Sequence, residues 1–153
     1  MAMKRFEIEA KFQVPVSVDV PGRRAALKAR SCGATQEERD FIYDTPGRVC
    51  SRAGRLVRLR RSGRRGCLLT FKGRVLPGRF KKRAEINLPC DDPGKADAFL
   101  ASFGLQGRFD KEKKRRQWRY KQCLVCFDRL PCVGNFVEIE GKPQAIVAAA
   151  QNE

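Results

Sequence analysis

The sequence predicts an α+β chain that is mainly β, built as a closed antiparallel eight-stranded barrel with peripheral helices. Three observations predict it. About eight short runs alternate apolar with polar or charged residues at a period of two, as strands with one buried face do. Turn signals rich in Gly and Pro separate those runs at hairpin spacing. The length, 153 residues, suits one domain with a sizeable core and is too short for two ordinary ones. Residues 1–153 are therefore expected to form a single domain, and a closed barrel is a natural solution for so many short strands.

The first strand runs from Phe6 to Val14, with Glu7, Glu9 and Lys11 on one face and Ile8, Ala10 and Phe12 on the other. Pro15 and Pro21 mark a turn, and Arg23 to Ser31 reads as a short helix closed by Gly33. Asp40 to Thr45 is a short strand turned by Pro46-Gly47. In Arg55 to Arg61, Arg58 and Arg60 share a face opposite Val57 and Leu59. In Cys67 to Arg74, Thr70 and Lys72 oppose Leu69 and Phe71. After Pro77-Gly78, the run Phe80 to Leu88 places Lys81, Arg83, Glu85 and Asn87 together. Asp92 followed by Pro93 is a helix start, with the carboxylate as N-cap, and Gly104 stops that helix after Phe103. Glu112 to Tyr120 aligns Lys113, Arg115, Gln117 and Arg119, with Lys114 and Arg116 as the other register. Leu124 to Asp128 and Gly134 to Glu140 complete the set.

Lysine and arginine total 33 against 17 acidic residues, a net charge of +16 that points to an anionic partner. There is no histidine, which excludes histidine-based catalysis. Seven cysteines, an odd number, with no signal peptide and no apolar run of spanning length, fit a reducing, cytoplasmic setting and no membrane partner. Cys123 and Cys126 have the spacing of half a zinc site, with Cys132 nearby, but a strand sends residues three apart to opposite faces.

Two features concentrate chemistry. Glu7 and Glu9 repel one another across one strand face unless a cation sits between them, which invites a divalent metal. Glu138-Ile139-Glu140 repeats the pattern near the other end of the chain. Elsewhere both signs of charge recur on the same strand faces, too regularly for faces that only provide solubility.

Glu7-Ile8-Glu9-Ala10-Lys11 resembles the E-x-E-x-K signature of the CYTH superfamily, the triphosphate tunnel metalloenzymes. Further blocks similar to that family follow in order: Tyr43-Asp44-Thr45-Pro46, Leu56 to Arg60, Leu69 to Gly73, Arg83-Ala84-Glu85, Lys113 to Arg116, Phe127-Asp128, and Gly134 to Glu140. The resemblance covers Phe6 to Glu140 and includes class IV adenylate cyclases, thiamine triphosphatases and inorganic triphosphatases.

The resemblance implies a tunnel through the barrel, lined by the charged faces, and a small-molecule triphosphate as the partner. A triphosphate carries about four negative charges and needs fixed cations and a metal to leave bulk water. Arg58, Arg60, Lys72, Arg83, Lys113 and Arg115 would supply the cations, arginine gripping two oxygens where lysine acts as a point charge. Glu7, Glu9, Glu85, Asp128, Glu138 and Glu140 would supply hard oxygen ligands suited to Mg2+ or Mn2+. The two Glu pairs meet if the first and last strands lie side by side. Water attacking the terminal phosphorus, with a metal or Lys11 easing formation of hydroxide, makes a triphosphatase. A ribose hydroxyl attacking the innermost phosphorus of ATP makes an adenylate cyclase. Cyclases resembling this family carry a His-Phe pair before the signature, where this chain has Met1-Ala2-Met3-Lys4-Arg5, so hydrolysis is the favoured expectation.

Asn87 stands where many relatives carry a carboxylate. The sequence ends at Glu153, where relatives usually continue through a helix and a strand, and the alanine-rich stretch within Lys142 to Gln151 is expected to be what remains of that helix. A non-catalytic nucleic-acid-binding barrel, stacking bases on Trp118 and Tyr120, is the rival reading. It expects carboxylates away from the cations, whereas here they alternate. The apolar outer strands permit a homodimer.

Overall fold

The computed structural model describes residues 5–63 and 66–151, so the stretch from Met1 to Lys4 and the terminal Glu153 lie outside it. Among the described residues the strands are β1 Arg5–Val14, β2 Arg30–Ser31, β3 Gln36–Asp44, β4 Leu56–Ser62, β5 Cys67–Lys72, β6 Lys81–Cys90, β7 Gln106–Tyr120, β8 Cys123–Leu130 and β9 Gly134–Glu140. The helices are α1 Val20–Ala26, α2 Val49–Arg52, α3 Pro93–Ser102 and α4 Pro143–Ala150. The hydrogen-bonded strand order is β2-β7-β3-β4-β5-β6-β1-β9-β8, and β7 pairs also with β8. That second pairing closes eight strands into an antiparallel barrel and leaves β2 as an extra strand.

The alternation located the strands well, and the departures have local causes. The helix expected over Arg23 to Ser31 instead begins at Val20, where the Asp19 carboxylate accepts the Gly22 N–H at 3.0 Å. It ends at Ala26 because Lys28 takes a left-handed φ of 55°. The N–H groups of Lys28 and Ala29 then return to the carbonyls of Ala25 and Arg24, and the chain is released into β2. The strand expected from Asp40 starts earlier, at Gln36. The β7–β8 hairpin turns through Lys121 (φ 46°) and Gln122 (φ 61°), a left-handed pair usually marked by Asn-Gly, so composition hid this turn.

The chain divides into two compact units. The first contains residues 37–77 and 82–112, with the start of β1. Its apolar face joins Tyr43, Leu59 and Cys67 to Leu100 of α3. As read from the sequence, Asp92 caps α3 by accepting the Lys95 N–H at 3.1 Å, and Gly104 follows the helix at φ 75°. Asp92→Ala should lower the unfolding free energy by about 1 kcal/mol in a urea titration, the usual cost of an N-cap. Cys67 and Cys90, opposite one another on β5 and β6, are joined as a disulfide that the odd cysteine count did not signal.

The second unit contains residues 7–36, 78–81 and the chain from 113 onward. Its apolar core unites Val20, Trp118, Cys123, Val125, Phe127, Val137 and Ile139 with Ile146 and Ala149 of α4. The alanine-rich segment is thus a packed helix covering β8 and β9. Cys123 sits in this core while Cys126 leaves β8 on the opposite face, and Cys132 is exposed. No helix among the described residues is long and apolar enough to cross a membrane.

Candidate functional site

The charged face of the second unit is assembled by register. β1 and β9 pair antiparallel, with Glu9 opposite Glu140 and Lys11 opposite Glu138. Directly opposite residues project from the same face, so acidic pairs from the two ends of the chain meet on one surface. On β8 and β7 the same face continues through Cys126, Asp128, Arg115 and Gln117. Asp128, fully buried, accepts from Arg115 Nε and one terminal nitrogen of Arg115, both at 2.6 Å, and from Lys113 Nζ at 3.2 Å. Arg115 also donates to Glu138 at 2.7 Å, and Lys11 Nζ approaches the other Glu138 oxygen at 3.0 Å. Lys113 and Arg115 therefore hold this face, whereas Arg116 lies over the Trp118 ring.

These contacts set the charges. Burial opposes ionisation of Glu138, but Arg115, Lys113 and Lys11 hold its carboxyl well below the usual range. Burial likewise works against the Arg115 charge, and the bond to Asp128 keeps the guanidinium protonated. Glu7 and Glu9 are both buried, and Lys81 donates to Glu9 at 2.8 Å. Cys126 Sγ accepts from Gln117 Nε2 at 3.3 Å on the same face, with its thiol pushed up chiefly by burial.

The first unit carries its own charged face. Arg60 forms a fork on Asp40, at 2.6 and 2.8 Å, and reaches Glu38 at 3.0 Å. Arg58 lies 3.9 Å from Asp40 and 3.5 Å from Thr70 Oγ1. Thr70 donates to Asn87 at 2.7 Å, and Asn87 donates to Glu85 at 2.6 Å. Asn87 therefore orients the Glu85 carboxylate through its side-chain amide. Lys72, at 3.1 Å, and Arg5, at 2.8 Å, complete the surroundings of Glu85. Burial would raise the Glu85 carboxyl, yet Arg5, Asn87 and Lys72 bring it down to about 2. Arg83 stands apart from this network, donating to the carbonyls of Gly73 and Gly54 at 2.7 and 3.2 Å.

Of the residues singled out from the sequence, Glu9, Lys11, Lys113, Arg115, Asp128, Glu138 and Glu140 thus share one face, and Glu7 joins them by strand alternation. Arg58, Arg60, Lys72 and Glu85 share the other unit's face. Glu38 lies before the strand expected from Asp40, and neither Glu38 nor Asp40 is singled out from the sequence, although their alternate spacing carries the signal. Among the described residues no group of three or more carboxylate or thiol side chains is arranged to hold a metal ion. The opposed pair Glu9 and Glu140 fits a hard ion that takes one or two carboxylates and completes its shell from water and phosphate oxygens, and does not fit an all-protein cage.

Comparison with known proteins bears on the same fold. The CYTH domain family profile matches residues 5–151. A candidate adenylate cyclase from Vibrio parahaemolyticus superposes with a TM-score of 0.80 at 22% identity, over 97% of this chain and 88% of that one. The PH1012 protein from Pyrococcus horikoshii gives a TM-score of 0.80 at 22% identity, over 95% and 88%. A candidate adenylyl cyclase from Hippeastrum, described as having a dominant triphosphatase activity, gives 0.73 at 16%, over 95% and 84%. At these identities the likeness shows the fold. No curated protein sequence matches.

Proposed function

Because the chain belongs to the CYTH domain family, we propose that it acts, as a single domain, as a metal-dependent hydrolase of a triphosphate-containing substrate. One observation carries the reading: on one face of the second unit, Glu9 and Glu140, from opposite ends of the chain, stand opposite one another beside cations fixed by ion pairs. A surface built only for solubility has no reason to bury Glu7, Glu9 and Asp128 among lysines and arginines.

In this reading Glu9 and Glu140 would hold Mg2+ or Mn2+, with Glu7 and Glu138 beside them on the same face. The ion, when bound, supplies Lewis-acid charge neutralisation at the phosphate oxygens. Lys113 and Arg115, presented by Asp128, bind phosphate oxygens, as do Arg58, Arg60 and Lys72. Asp128 and Asp40 fix the arginine forks before substrate arrives, so little reorganisation is needed. Lys11, held by Glu138, stabilises the hydroxide character of the attacking water by its charge. Water adds to the terminal phosphorus, the bridging P–O bond breaks with its electron pair going to the shortened phosphate that leaves, the attacked phosphorus becomes orthophosphate, and the water's proton passes to solvent. Arg83 takes a supporting part by tying Gly54 and Gly73 together, and Glu85 serves as counter-ion to Lys72. A cytoplasmic site of action belongs to the same proposal, with the Cys67–Cys90 bridge standing against the reducing setting that the cysteine count suggests.

A second reading, cyclisation of ATP with release of pyrophosphate, is motivated by the Vibrio neighbour's description. One assay separates the two. Purified protein is given tripolyphosphate, ATP and thiamine triphosphate with Mg2+ or Mn2+, and orthophosphate, pyrophosphate and cyclic AMP are resolved. The expected product is orthophosphate, and Glu9→Ala should reduce its release at least about a hundredfold. Hydrolysis unchanged by both Glu7→Ala and Glu9→Ala would remove the metal assignment, and cyclic AMP as the main product would replace the hydrolase with a cyclase.

A further inference from the structure

The charged face of the second unit continues past the residues used above. Register carries one row of directly opposed side chains across five strands: Glu9 on β1, Glu140 on β9, Leu124 on β8, Arg119 on β7 and Arg30 on β2. Because opposed residues share a face, Arg30 and Arg119 lie on the same surface as the Glu9 and Glu140 pair. Both arginines are exposed. Neither has an ion pair or side-chain hydrogen bond with another described residue. Two like charges set directly opposite one another are destabilising in a sheet unless something of the other sign lies between them.

The chain goes to some length to make this pair. β2 has two residues, and its pairing with β7 consists of Arg30 with Arg119 and Ser31 with Trp118. To deliver Arg30 there, the backbone passes through the left-handed conformation at Lys28, which a non-glycine residue adopts at a cost. The Cys32 N–H then bonds the Gln117 carbonyl at 2.9 Å and continues the pairing. The Arg119 Cα lies two strand spacings from that of Glu140, about 10 Å, and an arginine side chain spans much of that interval. Leu124 is the sole residue between them in the row. With no aromatic ring in the row, the pair suits a charged group rather than a nucleobase.

We propose that Arg30 and Arg119 form an anion subsite that grips a phosphate beyond the third, so that the preferred substrate is an inorganic polyphosphate of four or more units. This inference rests on the triphosphate reading and specifies the substrate class of the same site. Two guanidinium forks can share the oxygens of one terminal phosphate, which converts the like-charge cost into binding.

Calorimetric titration of the full chain with tripolyphosphate and with tetrapolyphosphate, in magnesium, tests it. The wild-type protein should bind tetrapolyphosphate about tenfold or more tighter than tripolyphosphate. Arg30→Gln and Arg119→Gln should each remove most of that difference while changing tripolyphosphate affinity less than about twofold. Arg119→Lys should recover part of it, and circular dichroism checks that each variant is folded. If the wild type binds both chains equally, or the variants weaken both equally, the subsite is overturned and the triphosphate reading stands. If the wild type binds neither chain, the subsite is overturned, and the triphosphate reading then rests on ATP and thiamine triphosphate in the product assay.

Discussion

Asp128→Ala should lose about 3 to 5 kcal/mol of stability, the usual result of leaving one partner of a buried ion pair behind, and with it nearly all activity. Asp128 is fully buried and accepts three charge-assisted hydrogen bonds, two from Arg115 and one from Lys113. Its removal takes away both bonds of the Arg115 fork and shifts that guanidinium toward Glu138, which in turn draws Glu138 away from Lys11. Denaturant unfolding measures the first effect and orthophosphate release the second. Asp128→Asn separates them, since the amide keeps one acceptor oxygen and the shape while losing the charge. It should regain part of the stability and little of the activity. An Asp128→Ala protein as stable and active as the wild type would mean that the Arg115 fork is not the anchor of this face.

Acid should destabilise the protein through carboxylates that do no chemistry, and Asp44 is the clearest. Its oxygens accept the backbone N–H groups of Thr45, Cys50 and Ser51 at 2.8, 2.9 and 2.9 Å, tying the end of β3 to α2. Burial would raise its carboxyl, but the N–H groups of Ser51, Cys50 and Thr45 bring it down to about 2. An unfolded aspartate titrates near 3.9. A group whose folded value is depressed stabilises the fold above the unfolded value and ceases to do so as pH falls through the folded one. The loss from Asp44 is therefore concentrated between about pH 4 and pH 2, and Glu85, also at about 2, adds to it with the same sign. Asp44→Asn should lower Tm by on the order of 10 °C near neutral pH and flatten the fall in stability on acidification. A variant with the wild-type acid profile would show that these three hydrogen bonds are not what makes the fold acid-sensitive. The effect should reach Arg83, because α2 leads to Gly54, whose carbonyl Arg83 holds.

The amino-acid sequence by itself determined which side chains share a face. Period-two alternation grouped Glu7, Glu9 and Lys11, paired Lys113 with Arg115, and put Cys123 and Cys126 on opposite sides, because a strand offers no other geometry. It also placed α3 through Asp92, Pro93 and Gly104, whose chemistry is local. Tertiary structure decided which faces meet and at what offset. A shift of one residue in pairing would turn Glu140 away from Glu9, and nothing within either strand specifies that offset. The same holds for the Arg60 fork on Asp40, the Asn87 contact with Glu85 and the joining of Cys67 to Cys90, each of which links separate strands. Arg30 is the sharpest case. Its neighbours read as helix, and only the left-handed turn at Lys28 and the free edge of β7 drew it into a strand opposite Arg119. Helix propensity is a weak local preference, and pairing with an existing strand outweighs it.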